Sequence, residues 1–592
     1  MEERSIFKQL LPYLKNLPLL LSFTSFVGMI YDFGFDQSLN QEFQLNLLYQ
    51  STLVVGIISA VSRYLRKKAK PSLQVFIFDL FSVIFFLSLL LYPLKFARKN
   101  LYLDFFSEPA WLYLALLLVF IREFSTLKIK LNRAIFNPAQ LFILSFLLII
   151  LGGAGLLLLP NAATAEFNFI DALFTSTSAV CVTGLIVVDT STHFTLFGQS
   201  IILVLIQIGG LGIMTIASYF GYFFRGGSSY ESQLMLSDMT SSDKLGEVFQ
   251  TLRRIIVVTI SIEALGAVLI FSNLKAELSP SYIERVYFAI FHSVSAFCNA
   301  GFSTLSDGLY ELGYRFNYPL QLSILVLFII GGLGFPIVFN LYNYVKHLIK
   351  DRLVPFFTKE EQGPYSVPWA VNLNSRIVMI TSGVLLLVGS TIFFIFEYNN
   401  SLAEHQGIGK VITAVFSAAT PRTAGFNTVD ISGLNFSTLM LIFLLMWVGA
   451  SPASTGGGIK TSTFAIATLN FWSLARGKER IEIFRREVAD ISVRRAFAII
   501  SLSLVVIGMG IFLIAYLDSE KDLLSIAFEC FSAYSTVGLS VGITNQLSEA
   551  SKLVIIAMMF IGRVSMLSIL IAIVKKEKYK NYRYSKEEIL IN

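Results

Sequence analysis

Four short apolar segments, each ending in a glycine, hold the residues of this chain that could bind an ion. The last of them, from Tyr534 to Gly538, contains a Thr-Val-Gly run. Potassium-channel filters begin with this run, and they replace the hydration shell of an ion with backbone carbonyl oxygens. The corresponding glycines recur at nearly equal intervals and are Gly184, Gly301, Gly425 and Gly538. Six positions before them stand Ser178, Ser295, Ala419 and Ser532, so the third copy drifts most from the pattern.

Each glycine lies between two long apolar segments, so the chain repeats a unit of span, half-helix, filter strand and span four times. A tight turn in an external loop could explain any one of these glycines, but the fourfold recurrence argues against it. Irregular backbone at membrane depth is tolerated only where it is buried or lines a water-filled cavity. Glycine lets an ion approach the chain closely, and the carbonyl ends of the half-helices, with about half a negative charge each, favour cations.

The sequence therefore predicts one cation pathway built by a single chain. The predicted filter residues, which would bind the ion through backbone carbonyls, are Val182, Thr183, Gly184, Asn299, Ala300, Gly301, Thr423, Ala424, Gly425, Thr536, Val537 and Gly538.

The composition indicates a polytopic membrane protein. Of 592 residues, 55% are hydrophobic and 14% are charged, and the mean hydropathy is +0.69, far too apolar for a soluble protein of this size. Four histidines leave little material for acid/base or metal chemistry. The three cysteines, Cys181, Cys298 and Cys530, are an odd number without metal-type spacing, which indicates apolar packing rather than disulfides or a zinc site.

About twelve apolar runs reach the roughly 20 residues that a membrane-spanning helix needs. They lie near 10–30, 44–62, 72–93, 110–127, 137–159, 198–224, 255–273, 318–345, 377–396, 435–474, 496–517 and 552–574. No small-residue cleavage site follows the first run, so we expect the amino terminus to remain attached. An even number of spans predicts that both termini are cytoplasmic.

Membrane topology explains the formal net charge of +7, and no nucleic-acid partner is predicted. The basic residues cluster in the links 63–70, 122–133 and 476–495 and in the tail from 575. These segments fall on one side if the spans alternate, and that side is predicted to be the cytoplasm. Lys95, Arg98 and Lys99 on the opposite side are an exception.

Five motifs resemble the Trk/Ktr/HKT superfamily of potassium transporters, most closely its bacterial TrkH and KtrB branch. They are CVTGL at 181–185, NAGF at 299–302, RTAGFNT at 422–428, STVGL at 535–539 and GASPASTGGGIKTST at 449–463. The resemblance covers roughly residues 135–576. It implies an all-α polytopic fold of four M1-P-M2 repeats around one pore, in which two spanning helices (M1 and M2) flank a pore helix (P). It also implies a homodimer and a cytosolic ring of nucleotide-binding regulatory subunits, similar to TrkA or KtrA, that gates the pores.

About four additional transmembrane helices, to which the sequence assigns no function, precede the repeats. The predicted segments are 1–134 for these helices, 135–228, 250–350, 372–478 and 493–576 for the four pore repeats, and 577–592 for a cytoplasmic tail.

The Ser-Thr-Gly-Gly-Gly centre of residues 449–463 is poor helix material, so the overlong third M2 is predicted to be broken there. By resemblance this is an intramembrane gating loop beneath the filter, comprising Ser454, Thr455, Gly456, Gly457, Gly458 and Lys460. A phosphate loop is the alternative, but Ile459 rather than glycine precedes Lys460 and no strand comes before the segment. Two Gly-Gly-Leu-Gly runs, at 209–212 and 331–334, lie inside spans and predict close helix packing rather than phosphate binding.

Three charged residues, Asp79, Glu263 and Arg563, lie within or near apolar spans, where each costs at least about 2.5 kcal/mol at mid-bilayer. Arg563 resembles the family's arginine beneath the filter, which would place a positive charge in the ion path. A structural ion pair or a hydrogen bond to the loop of the third repeat is the alternative. Glu263 and Asp79 are expected to be structural partners, and Arg422 is expected to brace its filter strand through carboxylates or carbonyls.

The leading functional hypothesis is passive, gated K⁺ uptake across the bacterial inner membrane, among membrane lipid. By resemblance, an all-glycine filter implies a preference for K⁺ and Rb⁺. A Na⁺-coupled or Na⁺-permeable transporter, or one activated by Na⁺, is the alternative. No cofactor is expected in this chain, and nucleotide is expected only on the regulatory partner. A membrane enzyme using Ser454 or Cys298 with His292 is a remote alternative, but no motif supplies the partner that such a site needs, so no enzyme activity is predicted.

Overall fold

The structure is a computed structural model, and it describes residues 2–65, 73–91, 109–125, 138–212, 248–274, 281–348, 372–566 and 569–570. Five described helices are long and apolar enough to span a membrane, and a sixth span is counted if two helices joined at a sharp bend are taken together. Other predicted spans correspond to shorter apolar helices or continue outside the described residues. The predicted tail 577–592 also lies outside them.

The chain divides into two compact units, of which the first comprises residues 1–130 and 159–162. Its helices are α1 (Glu2–Gly34), α2 (Leu39–Leu65), α3 (Leu73–Leu91) and α4 (Pro109–Ser125), and it includes the 3₁₀ turn Pro160–Ala162. Buried apolar side chains of α2, α3 and α4, among them Tyr49, Phe86 and Leu116, form its core.

Polar side chains inside the first unit bond to one another. The hydroxyls of Ser25 and Thr52 lie 2.6 Å apart and join α1 to α2. Tyr64 donates to Asp79 Oδ2 at 2.8 Å, and Arg122 Nε lies 3.8 Å from Asp79 Oδ1. Because a buried carboxylate must be paired or hydrogen-bonded, the expectation that Asp79 has structural partners is confirmed.

The second unit, residues 131–158 and 163–592, repeats one arrangement of M1, pore helix, glycine-bearing strand and M2 four times, as predicted. The M1 helices are α5 (Pro138–Leu157), α9 (Val248–Asn273), α13 (Leu373–Glu397) and α17 (Asp490–Leu517). The pore helices are α6 (Phe169–Val180), α10 (Tyr282–Phe297), α14 (Ile408–Ala419) and α18 (Leu523–Ser535). The M2 helices are α8 (Leu196–Gly210), α11 (Tyr318–Leu333) with α12 (Phe335–Leu348), α15 (Phe436–Trp447) with α16 (Thr461–Ala475), and α19 (Glu549–Val564). The remaining elements are α7 (Thr190–His193), the 3₁₀ turns Gly308–Tyr310 and Thr544–Gln546, and an antiparallel hairpin of β1 (Glu482–Ile483) and β2 (Arg486–Glu487).

Glycines allow three of the M2 helices to cross the pore helix of the same repeat at very close range. A Cβ added to any of these glycines would overlap a carbonyl oxygen near the end of the pore helix. The contacts pair Gly209 with Val180, Gly331 with Phe297, and Gly562 with Tyr534. The close packing predicted for the Gly-Gly-Leu-Gly runs at 209–212 and 331–334 is therefore confirmed. In the fourth repeat, Gly562 packs equally closely without such a run.

Each M2 helix breaks a few residues after it has passed its pore helix. Gly212, Gly334 and Ser565 are left-handed there, with φ of 84°, 85° and 72°, a conformation that suits glycine and strains serine. At Gly334 the second M2 turns by 103° between α11 and α12. In the third repeat the break is the whole segment between α15 and α16, as its glycine-rich sequence predicts.

Aromatic side chains fill two of the seams between successive repeats. Phe328 of the second M2 packs edge-on against Phe416 of the third pore helix, with ring centroids 5.4 Å apart. Phe443 of the third M2 packs against Phe528 and Phe531 of the fourth pore helix, at 5.6 and 5.0 Å. Such pairs add about 1 kcal/mol to the effect of burial alone.

An ion pair joins the last repeat to the first. Lys552 Nζ, at the start of α19, lies 2.7 Å from Asp171 Oδ1 in the first turn of α6. Their side chains are only 12% and 20% exposed, so water screens this pair less than a surface pair. A carboxylate in the first turn of a helix also interacts favourably with the helix dipole.

Removing this ion pair is expected to weaken the closure of the ring. We expect Asp171→Asn and Lys552→Gln each to cost about 1 kcal/mol of stability, measured by thermal unfolding of purified protein in detergent. In a double-mutant cycle the two costs should not add. The reversed pair, Asp171→Lys with Lys552→Asp, should recover only part of the loss, because lysine is unfavourable at a helix amino terminus. Strictly additive single effects would mean that the charges do not interact.

Candidate cation pathway

The four predicted filter strands share one backbone conformation. The residue two positions before each glycine is left-handed, with φ of 57° at Val182, 59° at Asn299, 71° at Thr423 and 50° at Thr536. The glycines are left-handed too, and the residue between is not. This alternation turns successive peptide groups toward the same side, which an extended strand does not do. A left-handed residue other than glycine costs about 1–3 kcal/mol, so neighbouring structure must hold these strands.

The four filter glycines form a closed ring. A Cβ added to any one of them would lie against the backbone carbonyl oxygen that precedes the glycine of the next repeat. The contacts run from Gly184 to Ala300, from Gly301 to Ala424, from Gly425 to Val537 and from Gly538 to Thr183. The fourth repeat thereby returns to the first, and the four glycines and the four residues that precede them are brought together in one ring.

Hydroxyl groups at the ends of the pore helices hold the filter strands. Ser178 Oγ accepts a hydrogen bond from the backbone N–H of Gly184, and Ser532 Oγ accepts one from Gly538, both at 3.1 Å. In the second repeat, Ser295 Oγ donates to the carbonyl of residue 302 at 2.7 Å. The serines that recur six positions before the glycines therefore have a common bracing role.

In the third repeat a different residue supplies the hydroxyl. Ala419 stands six positions before Gly425 and has no hydroxyl. The next residue supplies it instead, because Thr420 Oγ1 donates to the carbonyl of Phe426 at 2.6 Å. The one-residue shift has a local cause, because Pro421 lacks a backbone N–H and cannot continue the helix, and α14 ends at Ala419. The third copy thus departs from the other three, as expected, and the threonine beside a proline was the signal that could have identified the shift.

A buried carboxylate supports the fourth filter strand, and the sequence analysis missed it. Glu529, on the pore helix α18, is 1% exposed. Its carboxylate accepts hydrogen bonds from Ser540 Oγ at 2.5 Å, from the backbone N–H of Val541 at 3.3 Å and from Thr544 Oγ1 at 2.8 Å. These bonds fasten the chain that leaves the filter to the helix that enters it. A single glutamate belongs to no motif that could be recognised in the sequence. A charged residue in an apolar pore helix was nevertheless a signal that could have identified it.

The segment predicted to be a gating loop lies against one end of the filter strands. Thr455 Oγ1 donates to Asn299 Oδ1 of the second repeat at 3.2 Å. The two glycines that follow pass so close to the third and fourth strands that an added Cβ would overlap a threonine hydroxyl. These contacts pair Gly456 with Thr423 and Gly457 with Thr536. The loop therefore lies directly against this end of the predicted filter strands.

The remaining loop residues hold its shape. Ser454 Oγ donates to the carbonyl of Ser451 at 2.6 Å, and Lys460 Nζ donates to the carbonyl of Gly456 at 2.6 Å. Gly458 is left-handed, with φ of 66°. The lysine therefore caps the loop's own backbone, and a phosphate loop is not formed in this helical setting.

One arginine ties the loop to the M2 helices. Arg563, on α19, is 7% exposed. Its Nη1 donates to the carbonyl of Thr455, and its Nη2 donates to the carbonyl of Gly209 in the first repeat at 2.6 Å. Among the described residues no carboxylate lies within 4.0 Å of it. The alternative of a hydrogen bond to the third-repeat loop is thus realised, and the charge lies beneath the filter.

Glu263 is a structural partner, as expected. On α9, its Oε2 accepts a hydrogen bond from Gln207 Nε2 of the first M2 at 3.2 Å, and its Oε1 lies 3.7 Å from Cys298 Sγ. Cys298 is buried and free, as are Cys181 and Cys530, in agreement with a packing role for the cysteines.

Arg422 points away from the filter. Its Nη1 and Nη2 donate to the carbonyl and the hydroxyl of Ser382 on α13, at 3.3 and 3.0 Å. The expected carbonyl contact is present, but it belongs to M1 and not to the filter. Of the two kinds of partner expected, carboxylates or carbonyls, the carbonyl is the one present, and no ion pair of Arg422 occurs in the described part of the chain.

The residues of the enzyme alternative do not assemble into a catalytic arrangement. His292 Nδ1 lies 3.0 Å from the carbonyl of Phe288, and its Nε2 lies 2.9 Å from Ser303 Oγ. No hydrogen bond joins His292 to Ser454 or Cys298 within the described ranges. Those ranges also contain no group of three or more His, Cys, Asp or Glu residues that could hold a metal ion.

Comparison with known families assigns most of the chain. The family model TrkH, described as cation transport protein, matches residues 113–584. The chain is 35% identical over 458 residues to the Ktr system potassium uptake protein B of Bacillus subtilis, covering 77% of this chain and 96% of the relative. It is 33% identical over 463 residues to the potassium/sodium uptake protein NtpJ of Enterococcus hirae, covering 77% and 97%.

A solved structure has the same fold. The potassium transporter TrkH from Vibrio parahaemolyticus superposes with a TM-score of 0.58 at 17% identity, covering 89% of this chain and 98% of that one. At this identity the likeness concerns the fold alone, and it agrees with an all-α membrane architecture.

The carboxylate of Glu529 is expected to stabilise the outer end of the fourth filter strand. Glu529→Ala should cost about 3 kcal/mol, because it leaves several buried donors unsatisfied, and Glu529→Gln should cost less. Amide hydrogen exchange should accelerate at 540–544 before it does elsewhere. Exposed Glu549 on α19 provides the control, since Glu549→Ala should leave both thermal unfolding and exchange nearly unchanged. Equal behaviour of the two alanine variants would contradict the bracing role.

Proposed function

Because this chain belongs to the TrkH family of cation transport proteins, we propose that it takes K⁺ into the cell through a filter formed by its own four pore loops. The closed ring of Gly184, Gly301, Gly425 and Gly538 carries this proposal. Relatives named as potassium uptake proteins support the choice of ion.

The filter would bind K⁺ through main-chain oxygen atoms. Carbonyls turned to one side by alternating left-handed residues can replace the water around the ion. The residues proposed to contribute them are Val182, Thr183, Gly184, Asn299, Ala300, Gly301, Thr423, Ala424, Gly425, Thr536, Val537 and Gly538. The four pore helices end beside these strands, so their carbonyl ends would add a field that attracts cations and repels anions.

The loop from Ser454 to Lys460 is proposed to be the gate. It contacts filter residues of the second, third and fourth repeats, so an ion leaving the filter would meet it first. Arg563 would contribute twice, because its two hydrogen bonds hold the loop and its positive charge repels a cation nearby. Opening would require the loop to leave these contacts.

A Na⁺-permeable or Na⁺-coupled mode is a second candidate. The relative from Enterococcus hirae is named a potassium/sodium uptake protein, and it covers as much of this chain as the potassium uptake proteins do. By resemblance to the superfamily, a filter with glycine at all four positions implies a preference for K⁺. The ring therefore favours K⁺ uptake over the Na⁺-permeable or Na⁺-coupled mode.

The transporter is also proposed to have a regulatory partner and a defined place in the cell. Relatives are named as the B and D proteins of a Ktr system, which supports a separate regulatory component, and we propose a cytosolic nucleotide-binding ring in that role. The transporter would act as a homodimer in the bacterial inner membrane, with both termini in the cytoplasm. The curated relatives match 77% of this chain or less, and no role is proposed for the first unit.

The ion preference is expected to depend on the absence of a side chain at Gly184. Purified protein in K⁺-loaded vesicles should take up tracer Rb⁺, and Na⁺ should compete weakly. In Gly184→Ser the added Cβ would overlap the carbonyl of Ala300 at a left-handed position, so the ring must shift and the preference for K⁺ over Na⁺ should fall.

Gly155→Ser is a matched control, because Gly155 on the first M1 has no atom within 4 Å of an added Cβ. Equal Na⁺ inhibition of wild type and Gly184→Ser would remove Gly184 from the filter. Absence of Rb⁺ uptake by folded wild-type protein, with or without Na⁺, would contradict the transport function itself.

Releasing the loop is expected to raise K⁺ flux. Arg563→Gln removes the charge beneath the filter and weakens the bonds to Thr455 and Gly209, and deletion of Gly456 to Gly458 removes the obstruction. Each change should increase Rb⁺ uptake severalfold in vesicles, with folding checked by size-exclusion chromatography. If both variants are folded and transport at the wild-type rate or below, the loop is not the gate.

A further inference from the structure

A cavity of about 180 Å³ lies in the seam between the second and third repeats, behind the third filter strand. Its walls are mostly apolar and come mainly from two helices: Phe328 and Leu333 belong to the second M2, and Met379 and Leu386 belong to the third M1. The one charged residue in the lining is Arg422, which the transport mechanism proposed above does not use.

Arg422 brings more hydrogen-bond donors to this cavity than the protein satisfies. A guanidinium group has five N–H donors, and the hydrogen bonds of Arg422 all go to one residue, Ser382. Its Nε is buried and has no hydrogen-bond partner. Among the described residues no carboxylate lies within 4.0 Å of the guanidinium. The positive charge is therefore held by two neutral oxygen atoms beside an empty apolar space.

An anion is the group that this arrangement lacks. Buried charges in proteins are as a rule paired, and the planar guanidinium fork matches the geometry of a carboxylate. The apolar walls require that the rest of the ligand be hydrocarbon. Charge and walls together fit a molecule with an anionic head and an apolar chain.

The size of the cavity limits which amphiphile can enter. An engineered apolar cavity of about 150 Å³ binds benzene, so this space accepts a head group and only the first few carbons. The headgroup and two chains of a phospholipid are too large. The cavity is open at Gly383, which is exposed and has no atom within 4 Å of an added Cβ. Its neighbours Ile380 and Val384 are 53% and 55% exposed, as expected for a helix face that meets lipid chains.

We propose that this cavity binds the carboxylate end of a long-chain fatty acid, with Arg422 as the anion-binding group and Gly383 as the opening through which the chain reaches the lipid. The site is proposed to be separate from the ion pathway, because Arg422 donates to Ser382 on the third M1 and, among the described residues, to no filter carbonyl. Binding can therefore be measured without any assay of transport.

Photolabelling of the full-length protein in phosphatidylcholine vesicles tests the proposal. A palmitate analogue with a diazirine near the carboxylate should label peptides that contain Met379 to Leu386, as located by mass spectrometry. Unlabelled palmitate should compete about tenfold better than hexadecanol, which lacks the charge. Phosphatidic acid should compete poorly if the free acid is the ligand.

Two kinds of variant separate the site from general membrane labelling. Gly383→Leu fills the opening and should lower labelling about tenfold. Gly508→Leu is its control, because Gly508 is also exposed on an M1 helix with open space around it, and labelling should not change. Arg422→Gln should abolish the advantage of palmitate over hexadecanol, and Arg422→Lys should retain part of it.

Several outcomes would overturn the proposal. Equal competition by palmitate and hexadecanol would show that the charge is not used, and better competition by phosphatidic acid would assign the site to a phospholipid headgroup. Labelling that persists in folded Gly383→Leu would place the probe elsewhere. A change of oligomeric mass in Gly383→Leu, but not in Gly508→Leu, would show that a second copy covers this face.

Discussion

A filter strand at membrane depth leaves its peptide groups without helical partners, and the second unit of this protein is organised around that constraint. Each strand follows directly from a pore helix, and a hydroxyl such as that of Ser178 or Thr420 fixes the turn. Three M2 helices then cross the pore helices very closely, at Gly209, Gly331 and Gly562. They thereby shield the ends of the pore helices. The four strands also support one another, because each filter glycine lies against a backbone carbonyl of the next repeat.

Covalent linkage of the four repeats makes an asymmetric obstruction possible. In a symmetric tetramer, a loop that reached the pore axis from one subunit would have to share that space with three identical copies. Within the described ranges only the third M2 is interrupted by a long glycine-rich segment, and the second and fourth M2 helices break at single residues, Gly334 and Ser565. The fourth M2 supplies Arg563, which reaches both the loop and the first repeat. The repeats have thus diverged at the loop proposed as the gate, and they remain alike at the ring of glycines.

Most of the fold and the filter could be predicted because they depend on local sequence rules. The glycines must recur in each repeat, long apolar runs must flank them, and a Ser-Thr-Gly-Gly-Gly segment cannot continue a helix. What could not be predicted depends on distant contacts. Glu529 is an ordinary glutamate until the chain folds back on it, and the role of Thr420 follows from a proline that ends its helix early. That the carbonyl partner of Arg422 belongs to M1 could not be predicted either, because spacing does not encode the direction of a side chain in a loop.

Arg422 and Arg563 show how one residue type meets two different needs in the pore repeats. Both have no carboxylate partner in the described structure and donate to neutral oxygens. In the proposed pathway Arg563 lies beside the passing cations, where a neighbouring carboxylate would neutralise its effect on the ion. Arg422 lies outside the ring of strands, where no such reason to avoid a counter-ion exists. An unpaired charge there costs stability without serving the proposed pathway, so the fatty-acid carboxylate proposed above would give Arg422 a counter-ion.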